Sequence, residues 1–404
     1  MRKRHKNDCP ILRLKVLFLQ DHAKTGGAAR AANRYAFRLR EMGVSVARAC
    51  GDQATGTGEF LLRGKAPRGW ARLLEICQTR AFREQICRQR TLGAWHRALN
   101  SYRPDIVWAH NLHGGCKWGW SLSLVKEALG KAAVLWTLHD LWILSRGRPY
   151  PPVEELRAEF PDCPLRQLSG VSGPHPLLLT SPSRWIQDLI REAVPKPTCH
   201  HLPYVLDTTN FRPDRREQFR QRLGLRAEDL LLLAVAENLE DPRKRISLVV
   251  SAWPKLSPRR NQGRIFLGLV GRNPPPPDRE RGILAVGPVS GETEVAGFMA
   301  AADLFIHPAA AENYALVLEE AQACGTPVLA AKAGGVGETF VEGQTGWGME
   351  TAGPEALARQ LNDLLARPEK LRAQRPAARE AMERKHRPEA FEAGWDEIRG
   401  ILGR

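Results

Sequence analysis

The stretch LFIHPAAAENYALVLEEAQACGTPVLAA, residues 304–331, decides how the rest of the chain is read. Leu304–His307 is short and apolar, as a buried strand is. A loop follows Pro308, and helical spacing runs from Leu316 to Cys324. Gly325-Thr326-Pro327 stops that helix, and Val328–Ala331 reads as a second strand. Strand, helix and strand in immediate succession form a βαβ unit, whose two strands lie parallel.

The same alternation extends in both directions. Upstream in the second half, strands are expected at Leu230–Ala236, Ile265–Val270 and Ile283–Val286, with helices at Ile246–Leu256 and Thr293–Ala302. Pro354–Ala366 is the helix that follows. The first half repeats the pattern. Its strands are Val16–Leu19, Val44–Ala49, Ile106–Ala109, Val134–Leu138 and Leu177–Thr180. Its helices are Ala28–Met42, Ala71–Leu99, Leu122–Leu129 and Ser183–Glu192, with Ser183 as N-cap. Turn signals and two prolines place a hinge in Leu202–Pro213. Ser145–Pro176 and Asn273–Asp278 read as linkers, and the polar tail from Pro376 has a helical pattern. The fold class is α/β, with two Rossmann-like parallel-sheet domains facing a cleft.

Bulk properties agree. A chain of 404 residues suits two domains, and 43% hydrophobic with 26% charged residues excludes a disordered or fibrous protein. No apolar run approaches the ~18 residues of a membrane span. Arg13 and Lys15 interrupt the apolar segment near the start and no small-residue cleavage site follows, so a first strand is expected rather than a signal peptide. Eight cysteines without a C-x-x-C spacing imply reduced thiols and a cytoplasmic protein. The net charge of +16 is wholly N-terminal: residues 1–200 hold 32 basic and 16 acidic side chains, and the remainder 28 of each. An anionic partner for the first half is the implication.

Chemistry in open parallel sheets gathers where strands end. After the first strand, Asp21–Gly27 leads into a helix, and Gly26-Gly27 allows a phosphate to approach the backbone. His139 and Asp140 follow Val134–Leu138. His110, Asn111 and His113 follow the strand before it as weaker candidates. After Leu230–Ala236 come Asp241-Pro242-Arg243-Lys244-Arg245, cations suited to a diphosphate. Within 304–331, Glu312 precedes the helix and Glu320 lies about one turn inside it. The amides of Asn313, Tyr314 and Ala315 would point at a ligand beside Glu312. Glu319 reads as a solvated helix position.

The Glu-x7-Glu spacing, closed by Glu320-Ala321-Gln322-Ala323-Cys324-Gly325-Thr326-Pro327, resembles the donor-site signature of retaining glycosyltransferases of family 4. Gly26-Gly27, Thr137–Trp142, Ser181-Pro182-Ser183, Asp207 with Phe211-Arg212-Pro213, and Gly334–Glu338 agree in order. Thr137-Leu138-His139-Asp140-Leu141-Trp142 resembles the branch that builds bacterial surface polysaccharides.

That resemblance implies a GT-B fold: an acceptor domain at 10–203, a nucleotide-sugar domain at 204–375, and a helical segment, 376–404, crossing back to the first domain. By the same resemblance Glu320 would bind the ribose. Glu312 would hold the transferred sugar near its 3-hydroxyl, helped by the amides of Asn313 to Leu316. Arg243 and Lys244 would neutralise the diphosphate, Gly26 and Gly27 would approach it, and His139 would contact the sugar. Glu312 and His139 are the catalytic candidates. The substrate is then a nucleotide-diphosphate sugar, with no separate cofactor, and the acceptor a saccharide or lipid-linked saccharide. No Asp-x-Asp occurs, consistent with the resemblance's metal-independent retaining chemistry.

Three departures stand out. Ala236-Glu237 replaces a common Gly-Arg, Arg245 follows Lys244 where Gly is common, and only Cys163-Pro164 is left of a cysteine-rich loop. The basic half would dock on the anionic inner face of the plasma membrane, with the Arg-rich stretch Ala71–Leu99 as an interfacial helix. Its alternative is a packed helix with a solvated basic face. Two other classes remain open: a non-catalytic or nucleic-acid-binding basic protein, which lacks any RRM, KH or zinc-finger pattern here, and a sugar-nucleotide epimerase on the same fold.

Overall fold

The computed structural model describes residues 14–24, 26–52, 58–62, 80–112, 122–169, 173–196, 198–257 and 263–403, the side chains of 80–84 excepted. They form two compact units. One is Met1–Val205 with Glu392–Arg404, and the other is Leu206–Phe391. The division falls inside the expected hinge.

The first unit is built on a parallel sheet of β1 (Lys15–Gln20), β2 (Ser45–Cys50), β3 (Glu59–Leu61), β4 (Ile106–Ala109), β5 (Ala133–Thr137), β6 (Leu177–Ser181) and β7 (Cys199–His201). Their order is β3-β2-β1-β4-β5-β6-β7. The order reverses between β1 and β4, and this crossing point is where such sheets leave a crevice. After Lys15 every residue of β1 is buried, as expected of a strand covered on both faces. Helix α1 (Gly27–Glu41) lays Ala31, Ala32, Tyr35 and Leu39 on the core. The side chain of Ser183 accepts from the Ile186 amide and caps the helix Arg184–Ala193, as its position predicts.

The second unit repeats the plan with β8 (Leu230–Asn238), β9 (Ile265–Arg272), β10 (Ile283–Gly287), β11 (Leu304–His307), β12 (Val328–Ala330) and β13 (Gly346–Gly348). All strand pairs are parallel, in the order β10-β9-β8-β11-β12-β13, so the reversal lies between β8 and β11. Helix Arg216–Leu223 packs against Glu292–Ala301 so closely that a Cβ on Gly297 would lie 2.2 Å from the Phe219 ring. Buried Asp303 accepts from Arg216 at 2.5 Å, Arg220 at 3.2 Å and the Leu231 amide at 2.8 Å.

Several expectations need correction. The three-residue strands β3, β7 and β13 had no signal. Each is an edge strand, and Cys-His-His or Gly-Trp-Gly carries no apolar run. Ser145–Pro176 is not a linker throughout: Val153–Glu159 and Pro164–Ser169 are helices. Pro152 and Pro164 sit at the helix starts, where the missing N–H costs nothing, and Leu156, Leu165 and Leu168 are buried. The tail does not begin at Pro376, which lies inside the helix Pro368–Lys385. Arg375 donates to the carbonyls of Ala300 and Ala302, and Arg379 to those of Phe211 and Ala323, so this helix packs in the second unit. Only from Glu392 does the chain group with the first. There the last helix, Pro388–Ile401, stacks Trp395 on Trp108 with ring centroids 5.3 Å apart.

Candidate functional site

The loops that leave β8 and β11 meet. Pro242–Lys244 is a short turn, begun by Asp241, whose side chain accepts from the Arg243 amide. The Ala310 amide donates to the Arg243 carbonyl at 2.8 Å, stitching the two loops together. Lys244 Nζ then lies 2.6 Å from Glu312 Oε2. Arg243 donates to the same oxygen at 3.3 Å and to the Ala311 carbonyl at 3.1 Å. His307, the last residue of β11, places Nε2 3.5 Å from it.

This surrounding sets the charge of Glu312. Burial alone would raise its carboxyl, but the neighbouring His307 and Lys244 outweigh burial and hold it well below the usual carboxylate range. His307 shows the complementary effect. Burial lowers its ring below the ordinary value, against the opposing pull of Glu312. At neutral pH the cluster is an anionic carboxylate among two cations, at the crossing point of a parallel sheet.

Arg245, next to Lys244, is left-handed, with φ 51° and ψ 33°. A left-handed residue with a side chain is strained, and glycine is the usual occupant. The departure from Lys-Gly noted above is therefore conformational: Arg holds the geometry a glycine would hold without strain. Its guanidinium reaches the Thr351 carbonyl at 3.3 Å. It also lines a cleft of about 560 Å³ with Lys332, Glu342, Glu350, Ala309 and Ala310.

Helix Leu316–Ala323 starts without a side-chain cap. The Leu316 amide donates to the Tyr314 carbonyl at 3.2 Å, so it does not share the free-amide role expected of it. Asn313, Tyr314 and Ala315 are buried at this helix entrance, and Glu320 is fully buried one turn on. Glu319, read as solvated, is corrected: it is also fully buried. It accepts from Tyr314 Oη at 2.5 Å and pairs with Lys385 at 2.6 Å and His386 at 3.3 Å. Burial would raise its carboxyl, but Lys385 and His386 hold it well below the ordinary range. The sequence reading missed this because Lys385 and His386 lie far along the chain, and no local spacing links them to a helix residue.

The remaining candidates lie in the first unit. Gly26 caps α1 with φ 91°, a conformation open to glycine, and a Cβ on Gly26 or Gly27 would meet nothing within 4 Å. His139 is half-buried beyond β5. Its Nδ1 lies 2.7 Å from Tyr204 Oη and its Nε2 2.9 Å from His110 Nδ1. His113 and residues 71–79 of the proposed interfacial helix lie outside the described residues. Trp95, within the same stretch, is fully buried and donates to the Leu124 carbonyl at 2.9 Å. Among the described residues no group of three His, Cys, Asp or Glu side chains is disposed to hold a metal, and no helix is long and apolar enough to cross a membrane.

Two parallel sheets, each with a crevice at its crossing point, and a cation–carboxylate cluster at one of them define a GT-B architecture. Residues 215–381, most of the second unit, match the family described as Glycosyl transferases group 1. The chain is 30% identical over 220 residues to the GDP-mannose-dependent alpha-(1-6)-phosphatidylinositol monomannoside mannosyltransferase of Mycolicibacterium smegmatis, covering 50% of this chain and 56% of the relative. It is 34% identical over 214 residues to the D-inositol 3-phosphate glycosyltransferase of Streptomyces avermitilis, covering 46% and 41%. The chain thus spans about half the length of the curated relatives it matches. Among solved structures, sucrose-phosphate synthase from Thermosynechococcus elongatus superposes with a TM-score of 0.73 at 19% identity, covering 96% of this chain and 99% of the other. Anabaena HepE in complex with UDP and glucose gives 0.68 at 19% identity, covering 96% and 100%.

Proposed function

We propose that the protein is a retaining, metal-independent glycosyltransferase that moves a sugar from a nucleotide-sugar donor to a saccharide or lipid-linked saccharide, in surface polysaccharide biosynthesis. The observation that carries this reading is the convergence of Lys244, Arg243 and His307 on Glu312 where β8 and β11 end. Relatives named for GDP-mannose and inositol phosphate, and a fold neighbour holding UDP and glucose, support a nucleotide-sugar donor.

The chemistry follows from the charges. The bond between the sugar's anomeric carbon and the diphosphate oxygen breaks, and a bond to the acceptor oxygen forms. The acceptor's hydroxyl proton passes to the departing phosphate. Negative charge grows on the diphosphate while the sugar becomes oxocarbenium-like. Lys244 and Arg243 are placed to offset the first, and the carboxylate of Glu312 to bind sugar hydroxyls beside the second. Glu320 would hold the ribose of the nucleotide, and Asn313, Tyr314 and Ala315 at the helix entrance would help Glu312 hold the sugar. Gly26 and Gly27 leave the start of α1 open to an anion. The basic first half would keep the protein at an anionic cytoplasmic surface near a lipid-linked acceptor.

The test is a thermal-shift series against UDP-, GDP-, ADP-, CMP- and dTDP-sugars, with Glu320→Ala beside the wild type. Stabilisation by one nucleotide class that is lost in the variant supports the reading and identifies the base. A folded protein stabilised by none of them, yet binding random oligonucleotides in a salt-dependent way, would replace it.

A further inference from the structure

The reading above leaves a line of three side chains unexplained. His110 and His139 follow the neighbouring parallel strands β4 and β5, which pair Ala109 with Trp136. His110 is 1% exposed, and its ring stacks on Phe18 at 5.2 Å and on Trp108 at 5.6 Å. Its carbonyl accepts from Trp136 Nε1 at 2.9 Å. The ring cannot turn without disturbing this stack. Its Nδ1 meets His139 Nε2, and Tyr204 Oη meets the other nitrogen of His139.

The direction of these bonds follows from His110. Among the described residues its buried Nε2 has no hydrogen-bond partner. An orphaned buried N–H is rarer and more costly than an orphaned acceptor, so the hydrogen belongs on Nδ1. His110 Nδ1–H then donates to His139 Nε2, which must be an acceptor. A neutral His139 consequently carries its hydrogen on Nδ1 and donates to the Tyr204 oxygen. Burial, with His139 beside it, pushes the His110 ring well below the ordinary histidine value, in keeping with a neutral donor.

We propose that His110 is a positioning residue: with Tyr204 it locks His139 in the Nδ1–H tautomer and one ring orientation, and because both ring nitrogens are then engaged, the imidazole is presented to the sugar by its C–H edge and ring face in a single form. This rests on the assignment of His139 as the sugar contact, but the tautomer can be measured without any turnover.

The experiment is long-range 1H–15N correlation of histidine rings in the full chain. Wild type is compared with His110→Phe, which keeps the stacked ring, His110→Asn, which restores a side-chain donor, and Tyr204→Phe. The expected result is an Nδ1–H tautomer for His139 in wild type, lost to a mixture in His110→Phe and recovered in His110→Asn. With an active donor, kcat should fall about tenfold to a hundredfold in His110→Phe, as for other orienting partners, with KM little changed. An Nε2–H tautomer in wild type, or an unaltered one in a folded His110→Phe, overturns the proposal. Should His110→Phe fail to fold, Tyr204→Phe decides: with the His110 donor intact the Nδ1–H tautomer should persist there, and its loss would overturn the role given to His110. A locked tautomer in a protein that turns over no nucleotide-sugar would instead sink the transferase reading and leave the lock established.

Discussion

Lys244 Nζ stands 2.6 Å from Glu312 Oε2, joining two loops that leave adjacent parallel strands 68 residues apart in sequence. The pair couples the group placed for the diphosphate to the group placed for the sugar. Lys244→Met should therefore lower kcat/KM for the donor by about a hundredfold, the usual effect of removing one such charge stabiliser. Steady-state kinetics with the identified nucleotide-sugar checks it. An unchanged rate would remove Lys244 from the leaving-group role.

Glu319 gives a pH prediction. Its carboxyl is held below its unfolded value of about 4.3, so its stabilisation is complete above that pH and is lost as pH falls through the lower folded value. Urea unfolding of wild type and Glu319→Gln should differ by about 3 kcal/mol at pH 7. The difference should stay level down to about pH 5 and narrow below about pH 4. A gap that widens on acidification would contradict the paired carboxylate.

Arg245→Gly removes left-handed strain of about 1–2 kcal/mol and adds about 0.5–1 kcal/mol of unfolded-state entropy. A net gain in stability of about 0.5 kcal/mol is expected. Arg245→Val, with a branched Cβ at φ 51°, should destabilise instead. Chemical denaturation of the three proteins decides, and a loss in the glycine variant would mean that the bond to Thr351 dominates.

Gly297→Ala should cost about 1–3 kcal/mol, because the new methyl group would overlap the Phe219 ring between two packed helices. Adding Phe219→Leu should recover part of the loss if the clash is the cause. Equal losses in the single and double variants would point elsewhere.

Much of this was legible in the sequence. β4, β11 and the helix Leu122–Leu129 fall on their expected limits, since a strand buried on both faces leaves a continuous apolar run that needs no knowledge of its neighbours. The resemblance to the family rests on local spacing in the same way, and the family match to residues 215–381 covers the segment that carried it. The edge strands β3, β7 and β13 escaped because none of these three-residue segments is a continuous apolar run, as the equally short β12 is.

By itself the sequence determined the alternation of strands and helices, the two-unit plan, and which residues follow strand ends, because each depends on local pattern. Only the tertiary structure decided which charges meet. It brought His307, Arg243 and Lys244 onto Glu312, Lys385 and His386 onto Glu319, and His110 and Tyr204 onto His139. A carboxylate or imidazole looks the same in the chain whether solvated or buried. Its charge and tautomer are set by partners that a parallel sheet gathers from distant segments.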